Sequence, residues 1–154
     1  MRRILLVDDE ADKWLAVLSR PGEEAGWQLD AVESVQNALD KVGERRYDVV
    51  LLDLGFPTGM QGQDGLRLLR DQHPNLPVII LTGSDAREDI RTAVDCVKAG
   101  AWDYIPKSTM EADYLFAEAT KAAQHAEAEQ RGKRLMGAFK RISGGTPHFS
   151  LFSE

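Results

Sequence analysis

The sequence is poor in cysteine, in basic charge and in long apolar runs, and each shortage excludes a class of protein. One cysteine, Cys96, occurs among the 154 residues, so the chain can form neither an internal disulfide nor a cysteine-based metal site. The 25 acidic residues outnumber the 19 basic ones and give a net charge of -6, which argues against nucleic-acid binding by this chain. No apolar run approaches the ~20 residues of a membrane span. These shortages predict a cytoplasmic protein that contacts neither a membrane nor a nucleic acid.

The chain alternates regularly between strand-like and helix-like segments, and its apolar content of 43% suits one compact domain. Short runs rich in Ile, Val and Leu predict five buried strands, at residues 3–7, 28–32, 49–52, 78–81 and 102–105. Segments with helical spacing lie between them, at residues 11–19, 35–42, 65–70 and 90–99. This alternation predicts an α/β fold in which a parallel sheet carries helices on both faces.

Residues able to do chemistry follow four of the predicted strands. The first, third, fourth and fifth strands are followed, in that order, by Asp8-Asp9-Glu10, Asp53, Thr82-Gly83 and Lys107. Ligands of parallel sheets bind at the carboxyl ends of the strands, so we expect these side chains to converge. Clustered carboxylates repel each other unless a cation joins them, and their oxygens suit Mg²⁺ or Mn²⁺ and not zinc.

The pattern predicts a site for phosphoryl chemistry. A divalent ion held by Asp9 and Asp53, with Asp8 partly through water, would allow Asp53 to attack phosphorus. Lys107 supplies a positive charge for a phosphoryl oxygen, and the hydroxyl of Thr82 can donate a hydrogen bond to another. Taken singly, each residue is an ordinary helix cap, turn former or surface charge. Their occurrence after different strands, in register, indicates a functional site.

The segments that carry these residues also share a wider pattern. They are Leu5-Leu6-Val7-Asp8-Asp9-Glu10, Asp53-Leu54-Gly55-Phe56-Pro57, Asp64-Gly65, Leu81-Thr82-Gly83 and Gly100-Ala101-Trp102-Asp103-Tyr104-Ile105-Pro106-Lys107. Over about residues 3–122 the chain resembles bacterial response-regulator receiver domains of two-component systems, which are CheY-like. The resemblance implies a doubly wound, flavodoxin-like sheet of five parallel strands in the order 2-1-3-4-5, followed here by an extended C-terminal helix.

The resemblance also implies how the site works. Carried over by position, Asp53 is the phosphoacceptor, and Mg²⁺ is held by Asp8, Asp9, Asp53 and the backbone carbonyl of Gly55. The phosphoryl donor is a sensor histidine kinase or a phosphotransfer protein that carries phosphohistidine.

Three further residues acquire roles from the resemblance. Thr82 and Tyr104 form the switch pair, and Lys107 is the family's lysine, so that Asp53, Thr82 and Lys107 together form the catalytic group. The switch alters the face made by the fourth helix, fifth strand and fifth helix, which contacts an output protein or a second copy. Catalysis is then limited to the chain's own phosphorylation and dephosphorylation.

The sequence departs from the family pattern in three places. A glycine-rich insertion predicts a mobile loop that shields the phosphate, contacts the donor or has no role; it is Thr58-Gly59-Met60-Gln61-Gly62-Gln63. Ser84 or Asp85, with Glu88, predicts the cap of the fourth helix. Ser108 replaces a family proline after the lysine, so a trans bond is expected there. Ser108 and Glu111 form a capping box that predicts a fifth helix starting directly after the lysine.

The C-terminal segment is strongly helical from about residue 110 to residue 142. We predict a receiver domain over residues 1–126 and a helical extension and tail over residues 127–154, with the helix leaving the domain near Gly132. Residues 143–147 end the helix, and His125 is interpreted as structural or solvated. An apolar edge in the extension fits either a binding surface or a linker to an output domain, and it consists of Leu135, Met136, Phe139 and Ile142.

Two other functions remain open at this point. A metal-dependent phosphohydrolase with an aspartyl-phosphate intermediate uses the same residue types, but it would place a second acid as Asp-x-Asp, and Leu54-Gly55 follows Asp53 instead. A phosphate-independent interaction module would keep the fold without the switch, and the presence of the complete residue set weighs against it.

Overall fold

The computed structural model describes residues 1–83 and 86–143, with the side chains of 86–89 and 143 left out. The strands are β1 (Arg2–Val7), β2 (Trp27–Val32), β3 (Val49–Leu52), β4 (Val78–Thr82) and β5 (Asp103–Pro106). The helices are α1 (Ala11–Glu24), α2 (Val35–Glu44), α3 (Gly62–Gln72), α4 (Ala86–Lys98) and α5 (Ala112–Ser143), with a 3₁₀ turn at Lys107–Thr109. None of the described helices is long and apolar enough to cross a membrane.

The five strands form one sheet in the order β2-β1-β3-β4-β5, and every pair is parallel. All residues of β3 and β4 are buried, as expected for central strands covered on both faces. The predicted α/β fold, its strand order and its long C-terminal helix are therefore confirmed.

Alternate side chains of the strands enter two separate cores. On one face, the sheet packs against α2, α3 and Cys96 of α4, through Leu5, Val7, Val50, Leu52, Val78 and Ile80. On the other face, it packs against α1 and the first half of α5, through Ile4, Leu6, Val49, Leu51, Ile79 and Leu81. The indole of Trp27, buried in this second core, donates a hydrogen bond to Thr120 Oγ1 at 3.2 Å and joins β2 to α5.

The helix starts differ from the sequence prediction at several points. α3 begins at Gly62, inside the predicted loop, and α4 begins at Ala86. The predicted cap of α4 at Ser84 or Asp85 with Glu88 falls outside the residues whose side chains are described. The predicted start of α5 directly after Lys107 is wrong, because a 3₁₀ turn and an extended Met110 (φ -69°, ψ 129°) intervene.

The capping box of Ser108 and Glu111 is wrong for the same reason. α5 begins at Ala112, and its first turn is closed when Leu115 N donates to the carbonyl of Glu111 at 3.0 Å. Ser108 lies four residues before that start, inside the 3₁₀ turn, where its hydroxyl is too early to cap α5. No cis peptide bond occurs in the described part of the chain, so the bond before Ser108 is trans as expected.

α5 is uninterrupted over 32 residues, which corresponds to about 48 Å. Gly132 does not end it, because one glycine costs only ~1 kcal/mol in a helix of otherwise good helix formers. The middle of α5 is tied to the domain by an ion pair of Arg2 and Glu127 at 2.8 Å. A hydrogen bond of Lys133 to Asn75 at 3.3 Å adds a second tie. The boundary at residue 126 stays a prediction, and it falls within a continuous helix.

Close packing of α1 against β2 and α5 gives a test of the fold. A Cβ at Gly22 would lie 2.6 Å from Leu29 Cδ1 and 3.0 Å from the ring of Phe116. We expect Gly22→Ala to lower the free energy of unfolding in urea by about 1–3 kcal/mol, as overpacking does. Gly43→Ala is the matched control, since Gly43 is exposed in α2 with nothing within 4 Å, and there we expect no loss. Equal stability of the two variants would contradict the packing.

Candidate functional site

Three carboxylates meet at the carboxyl edge of the sheet. β1 and β3 are neighbours in which Val7 pairs with Leu52, so Asp8 and Asp53 leave the sheet side by side. Asp8 and Asp53 are 1% and 7% exposed, whereas Asp9 is exposed. One carboxylate oxygen from each of the three lies within 4.8 Å of the others. The convergence predicted for these acids is therefore present in the structure.

Lys107 bridges the two buried carboxylates. Its Nζ lies 2.5 Å from Asp8 Oδ2 and 3.5 Å from Asp53 Oδ2, and its side chain is 12% exposed. The ammonium also lies 5.2 Å from the ring centre of Trp14, a cation-π contact. The remaining oxygens accept backbone hydrogen bonds of 2.8 Å, from Glu10 N to Asp8 Oδ1 and from Leu54 N to Asp53 Oδ1.

The negative charge at this edge exceeds the positive charge. Burial raises the pKa of the Asp53 carboxyl above its ordinary range, the ammonium of Lys107 opposes the rise, and the charge of Asp8 adds to it. Three carboxylates against one ammonium leave a formal charge of -3 + 1 = -2. A divalent cation would balance this charge, and oxygen atoms alone are the donors that Mg²⁺ or Mn²⁺ prefers.

A groove of about 720 Å³ opens beside Asp53. Its lining includes four of the residues predicted from the sequence, namely Gly55, Thr82, Gly83 and Lys107. Thr82 is 3% exposed at the end of β4. Tyr104 does not line the groove; it is half-buried on β5, where it pairs with Ile80 and packs against the core formed with α2 and α3.

Four further residues line the groove, namely Gln61, Gln63, Asp64 and Thr92. Asp64 belongs to a motif of the family resemblance and the glutamines to the insertion predicted to lie beside the phosphate, whereas Thr92 had no signal in the sequence. Thr92 lies in a segment with ordinary helical spacing, and the glutamines lie in the glycine-rich insertion. Their approach to Asp53 depends on how α3 and α4 pack, which neither composition nor spacing encodes.

The insertion, predicted to be a mobile loop, is instead held in place by the side chain of Gln61. Gln61 Oε1 accepts from Phe56 N at 3.1 Å. Its Nε2 donates to the carbonyl oxygens of Phe56 at 3.0 Å and Gly59 at 3.3 Å. The amide therefore pairs with both backbone groups of Phe56, as a neighbouring strand would, and fixes the segment that follows Asp53 and Gly55.

Gly62 brings α3 directly against the backbone of the candidate acceptor. A Cβ here would lie 2.1 Å from the carbonyl oxygen of Asp53 and 2.6 Å from Leu54 Cα. Gly62 N donates to the carbonyl of Leu54 at 3.0 Å. Only glycine permits this approach, so Gln61 and Gly62 together fix the loop that follows Asp53.

Comparison with known proteins identifies the family. A sequence model described as the response regulator receiver domain matches residues 4–119, a stretch that contains every residue of the site described above. The chain belongs to the response regulator receiver domain family. The resemblance found from its motifs is thereby confirmed.

Individual relatives support the same family. The receiver is 40% identical over 105 residues to the two-component response regulator PhoP of Pseudomonas aeruginosa, covering 68% of this chain and 44% of PhoP. It is 36% identical over 124 residues to the DNA-binding transcriptional regulator NtrC of Klebsiella pneumoniae, covering 80% of this chain and 25% of NtrC. The chain therefore spans less than half the length of these relatives.

Solved structures agree with the fold. The crystal structure of a response regulator receiver domain protein from Clostridium thermocellum superposes with a TM-score of 0.73 at 28% identity. The match covers 83% of this receiver and 98% of that chain. The uncovered part of this receiver is consistent with its long α5.

The role of Gln61 can be tested by hydrogen exchange. In Gln61→Ala the amide of Phe56 loses its acceptor, and we expect that proton to exchange about fivefold faster, since a net hydrogen bond contributes about 1 kcal/mol. Gln63→Ala is the matched control, because Gln63 lines the same groove but its side chain makes no hydrogen bond within the described residues. Unchanged exchange at Phe56 in Gln61→Ala would show that the side chain does not hold the loop.

Proposed function

We propose that this receiver is a phosphoacceptor switch in which Asp53 takes a phosphoryl group from phosphohistidine on a sensor histidine kinase or phosphotransfer protein. The observation that carries the proposal is the grouping of Asp8, Asp9 and Asp53 within 4.8 Å around a lysine ammonium. The groove beside Asp53 gives the donor a path to the carboxylate.

The donor set fits a hard divalent cation. Asp8, Asp9, Asp53 and the carbonyl of Gly55 would hold Mg²⁺ or Mn²⁺, which would offset negative charge on the transferring group. An oxygen of Asp53 forms the new bond to phosphorus while the bond from phosphorus to the donor's histidine nitrogen breaks. The electron pair of that bond stays with the leaving imidazole. Lys107, already 3.5 Å from Asp53 Oδ2, would pair with a phosphoryl oxygen.

The switch follows from the order of the strands. Thr82 ends β4, and its hydroxyl would donate to a phosphoryl oxygen on Asp53. Tyr104 lies on the adjacent strand β5, where it pairs with Ile80 of β4, and the next pair along the two strands is Leu81 with Ile105. A shift of β4 would therefore be transmitted directly to Tyr104. The α4–β5–α5 face would then change its affinity for a partner, as a local charge change biases a two-state element. α4 already exposes apolar side chains, namely Ile90, Val94 and Val97.

The alternative functions have less support. A phosphohydrolase would need a second acid two residues after Asp53, where Gly55 stands. A phosphate-independent module would not need a cluster of carboxylates with excess negative charge beside a groove. We therefore propose that catalysis by this chain is limited to its own phosphorylation and dephosphorylation, in a cytoplasmic setting.

The phosphoacceptor assignment can be tested with acetyl phosphate and Mg²⁺, followed by intact mass. We expect the wild-type chain to gain one phosphoryl group and Asp53→Asn to gain none, because an amide is not a nucleophile for phosphorus. Asp64→Asn is the matched control, since Asp64 lines the same groove but pairs with Arg67 at 3.2 Å. Modification of Asp53→Asn at the wild-type rate would remove Asp53 from the role.

The output partner is proposed to dock on the α4–β5–α5 face or on residues 127–142 of α5. Within that extension, Leu135, Met136, Phe139 and Ile142 are 70%, 46%, 52% and 86% exposed. The spacing of Leu135, Phe139 and Ile142, four and then three residues apart, is that of a coiled-coil seam. A second copy of the receiver or an output protein would bury this edge.

Self-association can be measured by light scattering with and without beryllium fluoride and Mg²⁺. We expect a mass increase toward the dimer with the mimic, and at least about a tenfold weaker association in Leu135→Ser/Ile142→Ser, because two apolar side chains leave the interface. Val17→Ser is the matched control, since Val17 is 53% exposed on α1, away from the seam. If the receiver stays monomeric with beryllium fluoride, the output partner must be a different protein and not a second copy.

A further inference from the structure

A second groove lies at the opposite edge of the sheet from Asp53. It measures about 750 Å³ and lies between the loops that precede β3 and β4 and the middle of α5. We call it the arginine groove, after Arg45, Arg46, Arg131 and Arg134, which line it. Because its loops precede the strands, the groove is separated from the candidate phosphorylation site by the length of the sheet.

The arginine groove carries excess positive charge in an acidic chain. Its lining holds four arginines and two carboxylates, Asp48 and Glu127. Arg45 pairs with Asp30 at 3.2 Å, Arg46 with Asp48 at 3.7 Å and Glu127 with Arg2 at 2.8 Å. Arg131 and Arg134 are left as a local surplus of two positive charges, against a net charge of -6 for the whole chain. The lining also includes Tyr47. Burial and the nearby charge of Asp30 raise the pKa of Tyr47 to about 12, so its neutral ring adds no negative charge.

The two carboxylates of the groove are already used. Glu127 pairs with Arg2 at 2.8 Å. Asp48 accepts a hydrogen bond from Arg3 N at 2.9 Å and pairs with Arg46 at 3.7 Å. The side chains of Arg131 and Arg134 make no hydrogen bond or ion pair in the described part of the chain. They are three residues apart and share one side of α5, facing arginines from the α2–β3 loop across the groove.

The lining indicates the class of ligand. Guanidinium groups bind phosphate oxygens in pairs. Arg131 and Arg134 offer one such pair. Arg45 and Arg46, whose side chains are 48% and 84% exposed, hold their carboxylates through surface ion pairs, which contribute little to stability and can be exchanged for a phosphate. The groove also has an apolar part, formed by Val42, Leu76, Ala123 and Ala126, and its volume lies in the range of ~300–1,000 Å³ typical of small-molecule sites. A ligand that matches both parts has a chain of phosphates joined to an apolar, planar group.

We propose that the arginine groove is a binding site for a nucleoside polyphosphate, with the phosphates on Arg131 and Arg134 and on the arginines of the α2–β3 loop. The ligand would tie α5 to the loops before β3 and β4. Since α5 belongs to the proposed output face, occupancy would act as a second input to the receiver. Any coupling between the two sites would be reciprocal.

The site can be tested by calorimetric titration with ATP, without Mg²⁺, at physiological ionic strength. Arg131→Gln/Arg134→Gln removes two charge-assisted contacts, and we expect binding at least about tenfold weaker. Lys140→Gln/Arg141→Gln is the matched control, because it removes the same charge from the same helix outside the groove. It should bind within about twofold of wild type, with only the general loss of charge acting. Thermal unfolding of both variants checks that they remain folded.

Further titrations with other anions test whether the ligand is a nucleoside polyphosphate. Tripolyphosphate that binds as tightly as ATP would overturn the nucleoside part, and citrate that does so would overturn the phosphate class. Absence of ATP binding, binding only of an acidic peptide, or equal loss in the two double variants would overturn the site. Asp53→Asn should bind ATP as the wild type does, so this proposal and the phosphoacceptor proposal can fail separately.

Discussion

The contact of Lys107 with Asp8 and Asp53 is the interaction on which the rest of this receiver depends. Two carboxylates buried beside one another would be costly without a nearby cation, and the ammonium at 2.5 Å and 3.5 Å supplies it. The contact also requires the observed strand order. Lys107 leaves the edge strand β5 and must pass over β4 to reach acids that follow β3 and β1. The charged cluster can therefore form only when β5 is paired at the edge of the sheet.

The single lysine leaves the cluster incompletely balanced. The raised pKa of Asp53 records this, because burial and the charge of Asp8 together outweigh the attraction of Lys107. A site with excess negative charge would ordinarily repel a phosphoryl group. It would accept one only after a cation had changed the sign of the local field, so the proposed metal and the proposed phosphoryl transfer depend on each other. The loop beside Asp53, held at Phe56 by Gln61, would keep the neighbouring carbonyl of Gly55 in place for the proposed cation.

The sequence predicted the sheet and the charged cluster because both depend on short patterns. Central strands such as Val49–Leu52 are apolar throughout since both faces are covered, and the residue after each strand is set by the end of that strand. The hydrogen bonds of Gln61 to Phe56 depend on a loop conformation that composition does not encode. The predicted mobility of this loop rested on its glycine content alone. Ser108 and Glu111 matched a local capping pattern, yet the extended backbone at Met110 prevented it from forming. Local signals failed where the path of the chain between elements decided the outcome.

α5 connects the parts of the molecule that local patterns treat separately. Its first half is buried against the sheet through Leu115, Phe116 and Ala119, its middle lines the arginine groove, and its last turns expose an apolar seam. Because the helix is continuous across Gly132, a small rotation where it packs on the sheet moves the distal seam through a larger arc. A break at Gly132 would have separated these regions. The uninterrupted helix would instead let the seam respond both to the proposed switch at β4 and β5 and to the ligand proposed for the arginine groove.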